Sequence, residues 1–171
     1  LIMPNATAGW LSMKLGVTGP ATTVSQACSS GAAAIGDAAR LVATGVVDRA
    51  IAGGTEALTH PLVVAAFARM GALSARNDEP ERASRPFDKL RDGFVLADGG
   101  AVVVLESLEH AQERGATILG EVLGYGLSGD AHHMTQPAPG GEGAQRAMRD
   151  CLADGQIDPR DVDYINAHGT S

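Results

Sequence analysis

The chain has 171 residues, 44% of them hydrophobic and 19% charged, and a net charge of −7. That balance can fill one ordinary core and is too apolar for an intrinsically disordered chain. The acidity and the 4% aromatic content exclude non-specific nucleic-acid binding and base-stacking platforms. No apolar run reaches the roughly 18 residues of a membrane span, and no charged segment leads into an apolar one at Leu1, so neither membrane nor export is expected. Cys28 and Cys151 are too few for a disulfide framework, which points to a reducing, cytoplasmic setting.

Residues 22–27 (TTVSQA) are β-branched and compact, which predicts a short buried strand. After Cys28-Ser29-Ser30-Gly31, the apolar positions Ala34, Ile35, Ala38, Leu41 and Val42 recur at helical spacing up to Gly45, a natural stop. Residues 49–55 (RAIAGGT) predict a second strand, and Pro61 suits the first position of a helix reaching about residue 70. Residues 76–92 hold ten charged side chains and two prolines, a long surface loop in which Arg85-Pro86-Phe87-Asp88 could form an ordered anchor. The run AVVVL at 101–105 predicts a strand covered on both faces. A short helix near 106–114 comes next, then a strand-like ILGEVLGYG at 118–126. Ala144, Ala147, Met148, Cys151 and Leu152 form one helical stripe, and 162–167 predicts a final strand. Alternating strands and helices indicate an α/β sheet built from crossover units. The 22 glycines, scattered in pairs such as Gly53-Gly54, are about 13% of the chain against a usual 7% or so, and small residues at this density predict tight turns and close packing between layers. Neither end reads as a domain boundary, so a piece of a longer protein is expected.

Cys28 sits where a strand gives way to an Ala-rich helix. A helix N-terminus favours a thiolate, small neighbours admit a substrate, and nearby N–H groups can hold an oxyanion, although a buried structural cysteine fits the same local pattern. Cys151, on an apolar helical stripe, reads as structural. His168 comes after a strand and precedes Gly169-Thr170, where its ring could join an activated thiol or simply lie exposed on a loop. His132 and His133 with Asp130 tempt a metal reading, but adjacent histidines on an extended loop diverge and no fourth ligand is spaced for a site. The letters of G-x-G-x-x-G occur at Gly124, Gly126 and Gly129, yet no helix can open in DAHHMTQPAPGG, so no dinucleotide site is expected.

The segments QACSSG, Gly53-Gly54-Thr55-Glu56, ALSARNDEPERASRPFDKLRDGFVLADGGAVVVLE and YINAHGTS together resemble the β-ketoacyl-acyl carrier protein synthases, most closely the bacterial elongating synthase II type. The resemblance covers essentially the whole chain. It implies a thiolase-like α/β fold in layers αβαβα, present in part, with residues 1–110 the later part of the N-terminal half and 111–171 the start of the C-terminal half. It implies Cys28 as the acyl-accepting nucleophile, His168 as the first catalytic histidine, Thr170 as a phosphopantetheine contact and Phe67 as a lining of the acyl pocket. The family's second histidine and its lysine lie beyond HGTS, so these residues alone are expected to be inactive. The implied reaction is a decarboxylative Claisen condensation between a Cys-bound acyl group and malonyl-acyl carrier protein. The phosphopantetheine belongs to the carrier protein, so no bound cofactor is implied, and the implied assembly is a homodimer. A ketosynthase of a dissociated polyketide pathway shares these motifs. A thiolase would lack the HGTS and RPFDKLRDGFVL blocks, and a non-catalytic chain-length-factor subunit would lack Cys28. The acidity is awkward for docking an acidic carrier, for which Arg69 or residues outside the chain would supply the basic patch.

Overall fold

A computed structural model describes residues 3–171. The chain divides into two compact units. One holds the chain up to Gly54 together with Val102–Asp163, and the other holds Thr55–Ala101 and Tyr164–Ser171. Two strands, β1 (Arg49–Ala57) and β2 (Asp98–Glu106), pair with each other.

The first unit is built on helices. The helix α1 (Ala6–Leu15) was not legible in the sequence, because Gly9 and small alanines give it no apolar stripe, and none of its residues is buried. The predicted Ala-rich helix is α2 (Ser30–Ala43), and Gly45 beyond it takes the left-handed conformation expected of a stop. The predicted short helix is α4 (Leu108–Glu113), opened by the Ser107 hydroxyl accepting from the His110 N–H. Glu106, just before it, accepts from the Arg114 guanidinium and lies 2.6 Å from His110 Nδ1. These partners, Arg114 first, hold its carboxyl down at about 2 and pin the end of β2 to α4. The striped segment forms α5 (Glu142–Asp154).

The strands expected at 22–27, 118–126 and 162–167 have no ladder of their own among the described residues. A strand exists through hydrogen bonds to a neighbouring strand, and here the backbone finds other partners: the Tyr125 N–H, for example, donates to Asp154 at 2.9 Å. AVVVL does lie in a strand, β2, but its covering layers are absent among the described residues. Val102, Val103 and Val104 are 51%, 42% and 62% exposed, so successive side chains on both faces are open. The buried apolar residues are alanines: Ala33 and Ala38 on α2, Ala52 on β1, Ala83 and Ala111. Small residues there let backbones approach closely, as the glycine excess predicted.

Tyr125 shows how tight that packing is. Its ring lies against Gly36 of α2 so closely that a Cβ on Gly36 would overlap it. The Arg40 guanidinium sits 4.9 Å from the ring centroid, and the hydroxyl donates to the Ala33 carbonyl at 3.3 Å. Burial, and secondarily Asp37, pushes the phenol's pKa up. Gly36→Ala should therefore cost about 1–3 kcal/mol of stability in the full-length protein through overpacking. Denaturant titration checks this, and an unchanged midpoint would contradict the contact.

In the second unit α3 (Pro61–Arg69) begins with Pro61 at its first position, as predicted, and His60 Nδ1 accepts from the Leu62 N–H. The Thr59 N–H donates to Asp98 at 2.9 Å, fastening the entry to α3 onto the start of β2. Apart from a 3-10 turn at Pro80–Arg82, residues 76–92 are ordered by local hydrogen bonds rather than by helix or strand. Asp92 accepts from the Ser74 hydroxyl at 2.7 Å and the Ala75 N–H at 3.1 Å, and the Arg76 guanidinium donates to the Leu90 carbonyl at 2.9 Å. No helix among the described residues is long and apolar enough to cross a membrane.

Candidate active site

Cys28 is exposed and stands two residues ahead of the first turn of α2. The residue before it, Ala27, has φ of 48°, a left-handed conformation that a residue with a Cβ adopts only when its surroundings enforce it. The enforcement is visible. The Ser30 hydroxyl accepts from the Gln26 N–H at 2.7 Å and donates to the Ala27 carbonyl at 2.7 Å. The Ser29 hydroxyl donates to the Gln26 carbonyl at 2.8 Å, and the Ser29 and Ser30 amides donate to the Gln26 and Ala27 carbonyls. The two serines thus fold 26–30 into a tight turn, and none of these bonds engages the Cys28 amide or thiol. On the far side of the turn, a Cβ on Gly54 of β1 would come within 3.3 Å of Gly31 Cα, so α2 starts directly against the β1 backbone. Cys28 is thus placed just ahead of α2 by a turn that Ser29 and Ser30 close, with α2 starting against the β1 backbone. The sequence pointed to small residues around Cys28; it did not reveal that Ser29 and Ser30 close the turn.

His168 lies in the second unit and is exposed, and no hydrogen bond reaches its ring among the described residues. Its backbone is held through Gly169 and Ser171. The Ser171 hydroxyl accepts from the Arg85 N–H at 2.8 Å and donates to the Ala83 carbonyl at 3.3 Å. Gly169 lies against Phe87, whose ring a Cβ at that position would approach to 2.7 Å. Phe87 itself has φ of 65°. Arg85-Pro86-Phe87-Asp88 is thus an ordered anchor: the Asp88 N–H donates to the Arg85 carbonyl at 3.1 Å, the Leu90 N–H to Asp88 at 2.6 Å, and Arg85 Nε to the Arg82 carbonyl at 2.8 Å. That anchor joins residues far apart in sequence, so its grip on HGTS had no local signal.

Thr170 is exposed between the two held residues. Phe67, on α3, is half-buried and meets Phe94 edge to face with 6.0 Å between ring centroids. No hydrogen bond or ring contact joins Phe67, His168 and Thr170 to one another among the described residues. Arg69 is exposed in the last turn of α3.

Cys151, Gly124, Gly126, His133 and Asp130 have structural employment. Cys151 is half-buried, and its thiol donates to the Gly124 carbonyl at 3.3 Å. Gly124 and Gly126 lie against the backbone of α5 at Cys151 and Ala147, where a Cβ would overlap carbonyl oxygens. Those glycines serve helix packing, which accounts for their spacing without a nucleotide. His133 Nδ1 accepts from the Thr135 and Gln136 amides at 3.1 and 3.2 Å, and Asp130 accepts from the Ala138 N–H at 2.8 Å, so both side chains shape the loop before α5.

Family models agree with the motifs. The model for the β-ketoacyl synthase N-terminal domain matches residues 1–111, and that for the β-ketoacyl synthase C-terminal domain matches residues 119–171. The 3-oxoacyl-[acyl-carrier-protein] synthase 2 of Coxiella burnetii is 53% identical over 98% of this chain, which spans 40% of that relative. The mitochondrial 3-oxoacyl-[acyl-carrier-protein] synthase of Arabidopsis thaliana is 50% identical over 99% of the chain, which spans 37% of it. A ketosynthase solved with the acyl-carrier protein of a type II polyketide system, bound to a hexaketide, superposes with a TM-score of 0.92 at 39% identity, covering 96% of this chain and 40% of that one. A β-ketoacyl synthase from Burkholderia phymatum superposes with a TM-score of 0.91 at 44% identity, covering 98% and 40%. The fold is therefore the expected thiolase-like α/β type, present in part. On motif order, family models and fold alike, the chain belongs to the β-ketoacyl synthase family.

Proposed function

We propose that the chain is part of a β-ketoacyl-acyl carrier protein synthase of fatty acid elongation, with residues 1–110 from its N-terminal half and 111–171 opening its C-terminal half. The observation that carries this reading is an exposed thiol, Cys28, held by a serine-closed turn at the mouth of α2. Cys28 attacks the acyl thioester of the carrier protein. A C–S bond to Cys28 forms, the bond to the phosphopantetheine sulfur breaks, and the carrier leaves as its thiol. The Cys28 amide, free of the turn's own hydrogen bonds, is a donor for the oxyanion formed on the way.

Malonyl-carrier protein then binds, and Thr170 contacts its phosphopantetheine arm. Loss of carbon dioxide leaves an electron pair as a thioester enolate, whose oxygen accepts hydrogen bonds from His168 and from a second histidine outside this chain. The enolate carbon attacks the acyl carbonyl on Cys28, the new C–C bond forms, and the Cys28 thiolate is expelled. Phe67 lines the pocket for the acyl chain. The phosphopantetheine is the partner's, so the enzyme carries no resident cofactor. The working form is a cytoplasmic homodimer.

Relatives named as synthase 2 at about half identity favour fatty acid elongation. The polyketide ketosynthase at 39% identity supports, more weakly, the same reaction on a growing polyketide. Incubating the full-length protein with acyl- and malonyl-carrier protein should yield carbon dioxide and a 3-oxoacyl-carrier protein two carbons longer. Release of free acid with no condensation product would overturn the reading.

A further inference from the structure

The residues that hold His168 come from two of the motif segments, HGTS itself and the loop at 83–87. His168 has no hydrogen bond to its ring among the described residues, so its direction depends on the backbone that carries it. That backbone is gripped from the loop 83–87 at two points. At the first, the Ser171 hydroxyl bridges the Arg85 N–H and the Ala83 carbonyl, and Ala83 is only 5% exposed. At the second, Gly169 rests on the Phe87 ring and within 3.4 Å (from a Cβ position) of the Pro86 side chain. Gly169 does not need its freedom of φ, since only glycines at positive φ would, and it is not among them. It is glycine because the ring leaves no space for a Cβ. Phe87 remains 73% exposed and is held at φ of 65°, an unfavourable conformation that the hydrogen bonds of Arg85, Asp88 and Leu90 maintain. A backbone held at positive φ thus seats an aromatic ring on the residue next to the histidine and ties this loop to HGTS.

We propose that Phe87 and Ser171 are positioning residues for His168: a latch between the Arg85-Pro86-Phe87-Asp88 anchor and the HGTS segment that fixes the imidazole for enolate stabilisation. This deepens the functional reading above and rests on it. An error of about 1 Å in a hydrogen-bond donor can cost on the order of 100-fold in rate, so a latch of this kind acts on the step that uses His168 and spares the one that does not.

The test uses the full-length protein and measures two half-reactions separately: acylation of Cys28 by acyl-carrier protein, and decarboxylation of malonyl-carrier protein. Gly169→Ala drives a Cβ into the Phe87 ring and should lower decarboxylation about 10- to 100-fold while acylation stays within about three-fold. Phe87→Ala alone should lower the same half-reaction, and adding it to Gly169→Ala should cost little more, the non-additivity expected of two changes to one contact. Ser171→Ala should impair the same half-reaction, and Ser171→Thr, which keeps the hydroxyl, should not. His168→Ala is the control that separates the two claims. If His168→Ala abolishes decarboxylation but Gly169→Ala and Ser171→Ala leave it intact, the latch is wrong and the role of His168 stands. If Gly169→Ala damages both half-reactions equally, or Phe87→Ala leaves decarboxylation intact, the contact is merely structural and the latch is wrong. If His168→Ala leaves decarboxylation unchanged, the functional reading falls and takes the latch with it.

Discussion

Replacing Cys28 by alanine in the full-length protein should abolish acyl loading and lower condensation by roughly 10³-fold or more, since a lost nucleophile removes the covalent route altogether. Cys28 is exposed, and the turn around it is closed by Ser29 and Ser30 rather than by the thiol. The substitution should therefore leave stability within about 0.5 kcal/mol, so lost activity would not reflect unfolding. Cys151 offers no substitute, because its thiol is half-buried and committed to the Gly124 carbonyl. Steady-state condensation assays alongside a denaturant titration check both halves of the expectation. A variant that keeps a tenth of the wild-type rate would contradict it.

His168→Ala should divide the reaction. Decarboxylation of malonyl-carrier protein should fall by about 10²–10³-fold, the usual cost of deleting one donor to a developing oxyanion, while acylation of Cys28 survives within a few-fold. The side chain is exposed and without a hydrogen-bond partner among the described residues, so its truncation leaves no buried group unsatisfied. Release of labelled carbon dioxide and acyl transfer to the enzyme are separately measurable. Equal loss of both would assign His168 a general-base or structural role instead.

Local chemistry was the legible part. The apolar spacing behind Ser30, Pro61 at a first helical position and Gly45 as a stop each report on a few neighbouring residues, and α2 and α3 lie where those signals put them. The β-branched and apolar runs at 22–27 and 162–167 have strand composition but no ladder among the described residues, because pairing depends on a partner that the segment itself does not specify. β2 illustrates the same divide: AVVVL identified a strand that wants cover on both faces, and its valines stand open in a chain that spans 40% of the relatives it resembles. The contact between Phe87 and Gly169 and the Ser171 bridge join residues more than eighty positions apart, and no local pattern announces them. The glycines were visible as an excess, yet their reasons differ, with Gly36 under a tyrosine ring and Gly124 against a helix backbone.

The central claim is that Cys28 carries the acyl group, and locating that group tests it most directly. Full-length protein incubated with acyl-carrier protein, digested and examined by mass spectrometry, should show the acyl mass on the peptide containing Cys28 and none on the peptide containing Cys151. Acyl mass on the Cys151 peptide, or on neither, would contradict the account.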